Sequence, residues 1–111
     1  GVPNLAWVFG YFRASWTLRA DLIAELVCRM FNKMDAQGAQ MVMPTLRSEE
    51  HNMPRLPWID PDNFNPGYLM RSLHEMPKQG DREPWIFTQD YWSEKDEFPA
   101  ADLDDGTLIY T

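Results

Sequence analysis

The 111-residue chain holds one cysteine, two histidines and six glycines, and each scarcity excludes something. Cys28 alone cannot close an intrachain disulfide, and its spacing to His51 and His74 is not that of a metal site. A disulfide-stapled secreted scaffold is excluded, and a reducing, cytoplasmic compartment is expected. The glycines form no Gly-x-Gly-x-x-Gly and no phosphate loop; Gly-x-Ser-x-Gly and His-Glu-x-x-His are also missing. No self-contained dinucleotide, serine-hydrolase or zinc-protease site is therefore expected, and no residue is assigned as catalytic or metal-ligating. No apolar run approaches the ~20 residues that span a bilayer, and no cationic leader precedes one, so no membrane span is expected. Basic residues are the last shortage. Ten Lys and Arg stand against 17 Asp and Glu, a net charge of −7, which lacks the cationic footprint that nucleic acid or an anionic membrane requires.

What is present is uneven. Residues 1–80 carry eight acids and eight bases, whereas 81–111 carry nine acids against Arg82 and Lys95, so the whole excess lies in the last segment. Pro3 aside, the other eight prolines all follow residue 43. Hydrophobic residues make up 44% and aromatics 14%, including five Trp, enough for a core. The opening Gly1-Val2-Pro3-Asn4, without an initiator Met, reads as a processed, trimmed or truncated boundary.

Leu5-Ala6-Trp7-Val8-Phe9 is a continuous apolar run, the pattern of a strand buried on both faces in a parallel sheet, and Gly10 ends it. Ser15 then stands where a helix N-cap belongs, its hydroxyl placed to accept from the N–H of Thr17 or Leu18. From 16 to 36, Leu22, Ile23, Leu26, Val27, Met30, Phe31 and Met34 recur at spacings of three and four. They predict one long amphipathic helix with Arg19, Glu25, Arg29 and Lys33 on the opposite side, a Glu25–Arg29 pair, and Gly38 as its stop. A short strand at 39–43 is stopped by Pro44. Residues 44–66, with five prolines, read as coil and turns; 68–76 as a short helix ended by Pro77; 78–80 as a turn. Residues 85–92 fit a strand or a helical turn. Asp105-Gly106 is a turn signal before a terminal strand. The expected class is α+β: one long amphipathic helix, one buried strand, a few short strands and extensive coil.

His51 reads as a solvated loop histidine, His74 as a surface or packing residue of the short helix, and Cys28, beside the apolar stripe, as a buried inert thiol. The Asp102–Gly106 run has the wrong spacing for a calcium loop. Trp58, Trp85 and Trp92 read as anchors pinning coil onto a neighbouring surface. One arrangement points to function. A strand ending at Gly10 and turning into a helix at Ser15 aims backbone N–H groups and a positive dipole end over the strand's carboxyl edge, where open α/β sheets bind cofactors; an ordinary strand-to-helix turn has the same spacing.

Several ordered blocks carry a resemblance. Pro3-Asn4-Leu5 through Phe9-Gly10-Tyr11, residues 14–22, Glu25-Leu26-Val27-Cys28-Arg29 and residues 34–38 come first, followed by residues 66–73, residues 76–80, Pro84-Trp85, Gln89-Asp90-Tyr91 and residues 105–108. Together they closely resemble the C-terminal region of FAD-containing monooxygenases of the ethionamide-activating, Baeyer–Villiger-like type. The resemblance implies an α/β FAD/NAD(P)-binding fold, of which 1–43 would end the FAD-binding domain and 44–111 would be a proline-rich acidic wrapping segment. It implies FAD and NADPH as cofactors of the full-length protein, and oxygen insertion into ketones or oxidation of sulfur and nitrogen centres through a flavin C4a-(hydro)peroxide. This chain, lacking both dinucleotide fingerprints, would bind neither cofactor alone and be inactive. Its partners would be the rest of the monooxygenase chain and a small-molecule substrate. Gly10, Tyr11, Ser15, Trp16 and Thr17 would lie against the flavin, and Trp58 or Phe64 would border the substrate entrance. Many relatives have Thr-Asn where this chain has Phe12-Arg13. The alternative is a small acidic interaction module docking a partner through the 16–36 helix.

Overall fold

Trp16–Gln37 forms the longest element, helix α1, and its two ends are closed differently. The structure is a computed structural model and describes residues 1–111. At the C-terminal end Gly38 is left-handed (φ 67°); its N–H reaches the Asp35 carbonyl at 3.2 Å, and that of Ala39 the Met34 carbonyl at 2.9 Å. Those bonds satisfy carbonyls the last turn leaves open, in a conformation that costs glycine least. At the N-terminal end Ser15 holds the expected position without the expected bond. Its hydroxyl pairs with that of Thr17 at 3.0 Å and caps no helix N–H.

Short elements follow: β1 (Val42–Pro44), β2 (Leu56–Pro57), α2 (Gly67–Ser72), β3 (Lys78–Gln79), α3 (Tyr91–Ala100) and β4 (Leu108–Tyr110), with 3-10 turns at Ser48–Glu50 and Leu73–Glu75. This is a small α+β fold. It divides into two compact units, one of residues 1–49 with 89–111, the other of 50–88. No helix is long and apolar enough to cross a membrane.

In the first unit β1 and β4 pair antiparallel, Val42 opposite Tyr110 and Pro44 opposite Leu108. The strand expected at 39–43 thus lies slightly later and includes Pro44. A proline cannot donate to a ladder, and here the next residue does so, Thr45 N–H reaching the Thr107 carbonyl at 2.8 Å. The turn before β4 places Gly106 at φ 89°. Asn4, itself at φ 55°, ties the start of the chain to β1: its N–H donates to the Val42 carbonyl and its Oδ1 accepts from the Val42 N–H, both at 2.9 Å.

The buried strand expected at 5–9 is not formed. These residues pair with no strand, and Leu5 is 66% and Val8 48% exposed. A run apolar on both faces needs a strand on each side, and the chain's four short strands pair with one another and leave this run unpaired.

The face α1 turns inward also differs from expectation. Arg19, Arg29 and Lys33, expected on the solvent side, hold the C-terminal segment. Arg19 is buried against Glu94 of α3. Arg29 donates to the Phe98 and Ala101 carbonyls at 3.0 and 2.7 Å, closing the end of α3 in place of the expected pair with Glu25. Lys33 pairs with Asp104 and lies 5.4 Å from the Tyr110 ring centroid. The neighbouring apolar arc stays half-buried from Leu22 to Met30, with Phe31 59% exposed and only Met34 buried. Cys28, expected buried, is exposed, because the element covering α1 meets its cationic arc and leaves the thiol in solvent.

Helix α3 was not anticipated beyond a possible helical turn at 85–92. Asp90 caps it, accepting from the Trp92 N–H at 3.2 Å and the Ser93 hydroxyl at 2.7 Å, and Pro99 falls in its last turn. Trp92, expected to anchor, is 75% exposed.

In the second unit Trp58 and Ile59 are buried, and Trp58 stacks on Phe87 at 5.2 Å. Residues 78–80, expected as a turn, contribute β3, which pairs antiparallel with β2. The Gln79 amide donates to the Pro57 and Trp58 carbonyls at 2.9 and 3.1 Å and accepts from the Phe87 N–H at 2.9 Å, so a polar side chain substitutes for missing ladder bonds. The peptide bond Glu83–Pro84 is cis. His51 and His74 are exposed.

Candidate functional site

Phe9 to Thr17 is the segment singled out by sequence, and its backbone is held from a distance. The Phe9 carbonyl accepts from Arg19 Nη1 at 2.9 Å. The Gly10 carbonyl accepts from Gln89 Nε2, and the Phe12 N–H donates to Gln89 Oε1, both at 2.8 Å. Three polar groups within four residues are thus satisfied by side chains rather than by sheet neighbours.

Gly10 is buried, and the space beside it is filled by this chain. A Cβ there would meet the Trp16 ring at 2.3 Å and the Trp16 carbonyl at 2.6 Å, so the glycine is required for α1 to begin against the turn. The Trp16 ring lies 4.6 Å from Phe9, which in turn contacts Phe12 at 5.2 Å and Trp7 at 5.9 Å. An aromatic cluster therefore borders the helix start.

Ser15, Trp16 and Thr17 are exposed at the N-terminus of α1. No side chain caps the helix and no acid lies in its first turn. First-turn N–H groups without a cap, with the positive dipole end of a 22-residue helix behind them, suit a partner bearing negative charge.

Tyr11 points elsewhere. The whole residue is 3% exposed, its ring edge-on to Tyr91 at 5.9 Å and 6.0 Å from the Arg19 guanidinium. Burial pushes the phenol pKa well up, and the adjacent Glu94 carboxylate pushes it further. The hydroxyl lies near that carboxylate yet makes no hydrogen bond of acceptable geometry. Ser15, Trp16 and Thr17 therefore gather at the exposed helix start with Gly10 buried behind them, whereas Tyr11 is buried against Tyr91 and Arg19.

The structure adds Arg19, Gln89 and Glu94, which sequence reasoning missed. Nothing in local spacing signals an arginine's partner 75 residues away. Asp90, a strong cap residue, was the available hint that a helix starts beside Gln89. No cluster of three His, Cys, Asp or Glu could hold a metal ion. Trp58 is buried under Phe87, so it lines no open entrance in this chain; Phe64 is half-buried.

The chain is 40% identical over 111 residues to the FAD-containing monooxygenase EthA of Mycolicibacterium smegmatis, a match covering 100% of this chain and 22% of the relative. It is 41% identical over 110 residues to the protein of the same name from Mycobacterium tuberculosis, covering 99% and 22% respectively. With the probable FAD-binding monooxygenase AlmA of Acinetobacter baylyi it shares 37% over 113 residues, covering 98% and 21%. The chain thus spans about a fifth of the length of the curated relatives it matches. No family model and no solved structure matches it. On these whole-length similarities the chain belongs with the FAD-containing monooxygenases and corresponds to their C-terminal region.

Proposed function

We propose that this chain works as the C-terminal portion of an FAD- and NADPH-dependent monooxygenase that inserts oxygen into ketones or oxidises sulfur or nitrogen centres, and that it is inactive alone. The observation that carries this reading is the exposed start of α1, without a side-chain cap or first-turn acid, beside a turn fixed by long-range hydrogen bonds. Bound FAD would supply the redox and oxygen chemistry. The residues present fit it. Backbone donors at Trp16 and Thr17 would face negative charge developing on the flavin ring, and the buried turn at Gly10 and Tyr11 would support the helix start behind them. The aromatic cluster of Phe9, Phe12 and Trp16 would keep water from that edge. NADPH and substrate would be bound mainly by the remainder of the longer protein.

On this reading 1–43 completes the FAD-binding domain, with the exposed run at 5–9 lying where the domain's sheet adds, and 44–111 wraps it. The unpaired, exposed Cys28 is consistent with a reducing cytoplasm. The 111 residues expressed alone should bind no FAD by absorbance or equilibrium dialysis, whereas the frame upstream of codon 1 should encode Gly-x-Gly-x-x-Gly. A stoichiometric yellow flavoprotein from the 111 residues alone contradicts the proposal.

The half-exposed apolar arc of α1 with Phe31 supports a second reading, an acidic module that docks a partner through this helix. Analytical ultracentrifugation separates the two. A well-folded monomer with sharp near-UV Trp signals favours the module, and aggregation favours the portion of a larger enzyme.

A further inference from the structure

Gln89 carries a contact that neither its sequence position nor the proposed activity assigns. Its primary amide spans the turn at Gly10–Phe12, donating to the Gly10 carbonyl and accepting from the Phe12 N–H, each at 2.8 Å across 79 and 77 residues. Both contacts fix which end of the amide is which. A flipped amide would set NH2 against N–H and oxygen against oxygen.

The backbone beneath that amide is also unusual. Gln89 sits at φ 57°, left-handed and costing a non-glycine residue ~1–2 kcal/mol. A side chain held there needs compensating contacts, and the two bonds to the turn are contacts of that kind. The next residue, Asp90, caps α3, and α3 is tied to α1 through Glu94 and Arg19, whose other nitrogen reaches the Phe9 carbonyl at 2.9 Å. Two routes from residues 89–94 thus converge on three backbone groups of one turn.

We propose that Gln89 is a positioning residue, fixing the turn Gly10–Phe12 and through it the start of α1 that faces the flavin. This rests on the reading that the start of α1 faces that cofactor. Gln89 touches no reacting atom; it acts through the turn.

The test uses two substitutions in one hybrid protein. Gln89→Met keeps length and loses both bonds. Gln89→Glu keeps the acceptor, and its carboxyl regains a donor for the Gly10 carbonyl only when protonated. In a hybrid of the M. smegmatis monooxygenase with residues 1–111 as its C-terminal region, hydrogen exchange at the Phe12 amide should quicken about tenfold in Gln89→Met, the loss of roughly one hydrogen bond. Unchanged Phe12 exchange overturns the proposal. In the same hybrid the flavin reduction potential and visible spectrum should shift in Gln89→Met at every pH. In Gln89→Glu they should match the unsubstituted hybrid at acid pH and depart as the introduced carboxyl ionises. A residue that only holds the fold together gives no such reversible titration.

Exchange across residues 10–17 with and without FAD distinguishes the two ways to fail. If FAD protects 10–17 but the Gln89→Glu flavin signature does not move with pH, the positioning role is wrong and the site stands. If FAD leaves 10–17 unprotected, the site itself is wrong and the proposal falls with it.

Discussion

Arg19 and Glu94 lie 75 residues apart and meet inside the protein, the guanidinium Nε 3.0 and 3.1 Å from the two carboxylate oxygens. Both side chains are buried, and Arg19 also reaches the Phe9 carbonyl and lies 5.5 Å from the Phe98 ring centroid. Removing two charges from water is costly, and only good geometry with further hydrogen bonds offsets it. The pair therefore contributes position more than net stability, since it fixes α3 to the start of α1.

Breaking one side of the pair should cost more than removing both. Glu94→Ala leaves a buried guanidinium uncompensated and should lose ~3–5 kcal/mol, a large part of a small domain's stability. The double variant Arg19→Met, Glu94→Leu should recover much of that. Urea midpoints of both variants check the order; equal losses contradict it.

Stability should fall at alkaline pH through Tyr11. Its pKa in the folded protein is raised above the ordinary 10.0 by burial and then by Glu94, so the folded state keeps a proton that the unfolded chain releases. The contribution is complete below pH 10 and declines above it, by at most ~1.4 kcal/mol per pH unit. Tyr110, also raised by burial, adds a smaller share of the same sign against the opposing Lys33. Tyr11→Phe should flatten the alkaline loss in part, read from urea midpoints between pH 8 and 11.

Two glycines should respond to alanine for different reasons. Gly38→Ala meets nothing within 4 Å and incurs only the cost of φ 67°, ~1 kcal/mol. Gly10→Ala drives a Cβ into the Trp16 ring and carbonyl and should cost ~3 kcal/mol, with a changed Trp16 near-UV signal. Thermal and urea unfolding with circular dichroism measure both.

Helix α1 was legible because seven apolar positions and a terminal glycine agree, and the turn into β4 because Asp105-Gly106 has few alternatives. The apolar run at 5–9 has the pattern of a buried strand, a state that depends on flanking strands, and the strands of this chain pair only with one another. Helix α3 was hidden because it docks through Glu94 and the carbonyls of Phe98 and Ala101, which leave no apolar period, and because Pro99 lies within it. The site was legible in part. Gly10 and Ser15–Thr17 follow from local pattern, whereas Gln89 and Glu94 join it only through contacts closed over more than 70 residues.

The most direct measurement is the flavin content of the M. smegmatis monooxygenase with its C-terminal region exchanged for residues 1–111. A soluble protein with stoichiometric FAD that NADPH reduces is the expected result. A folded, soluble hybrid that retains no FAD contradicts it.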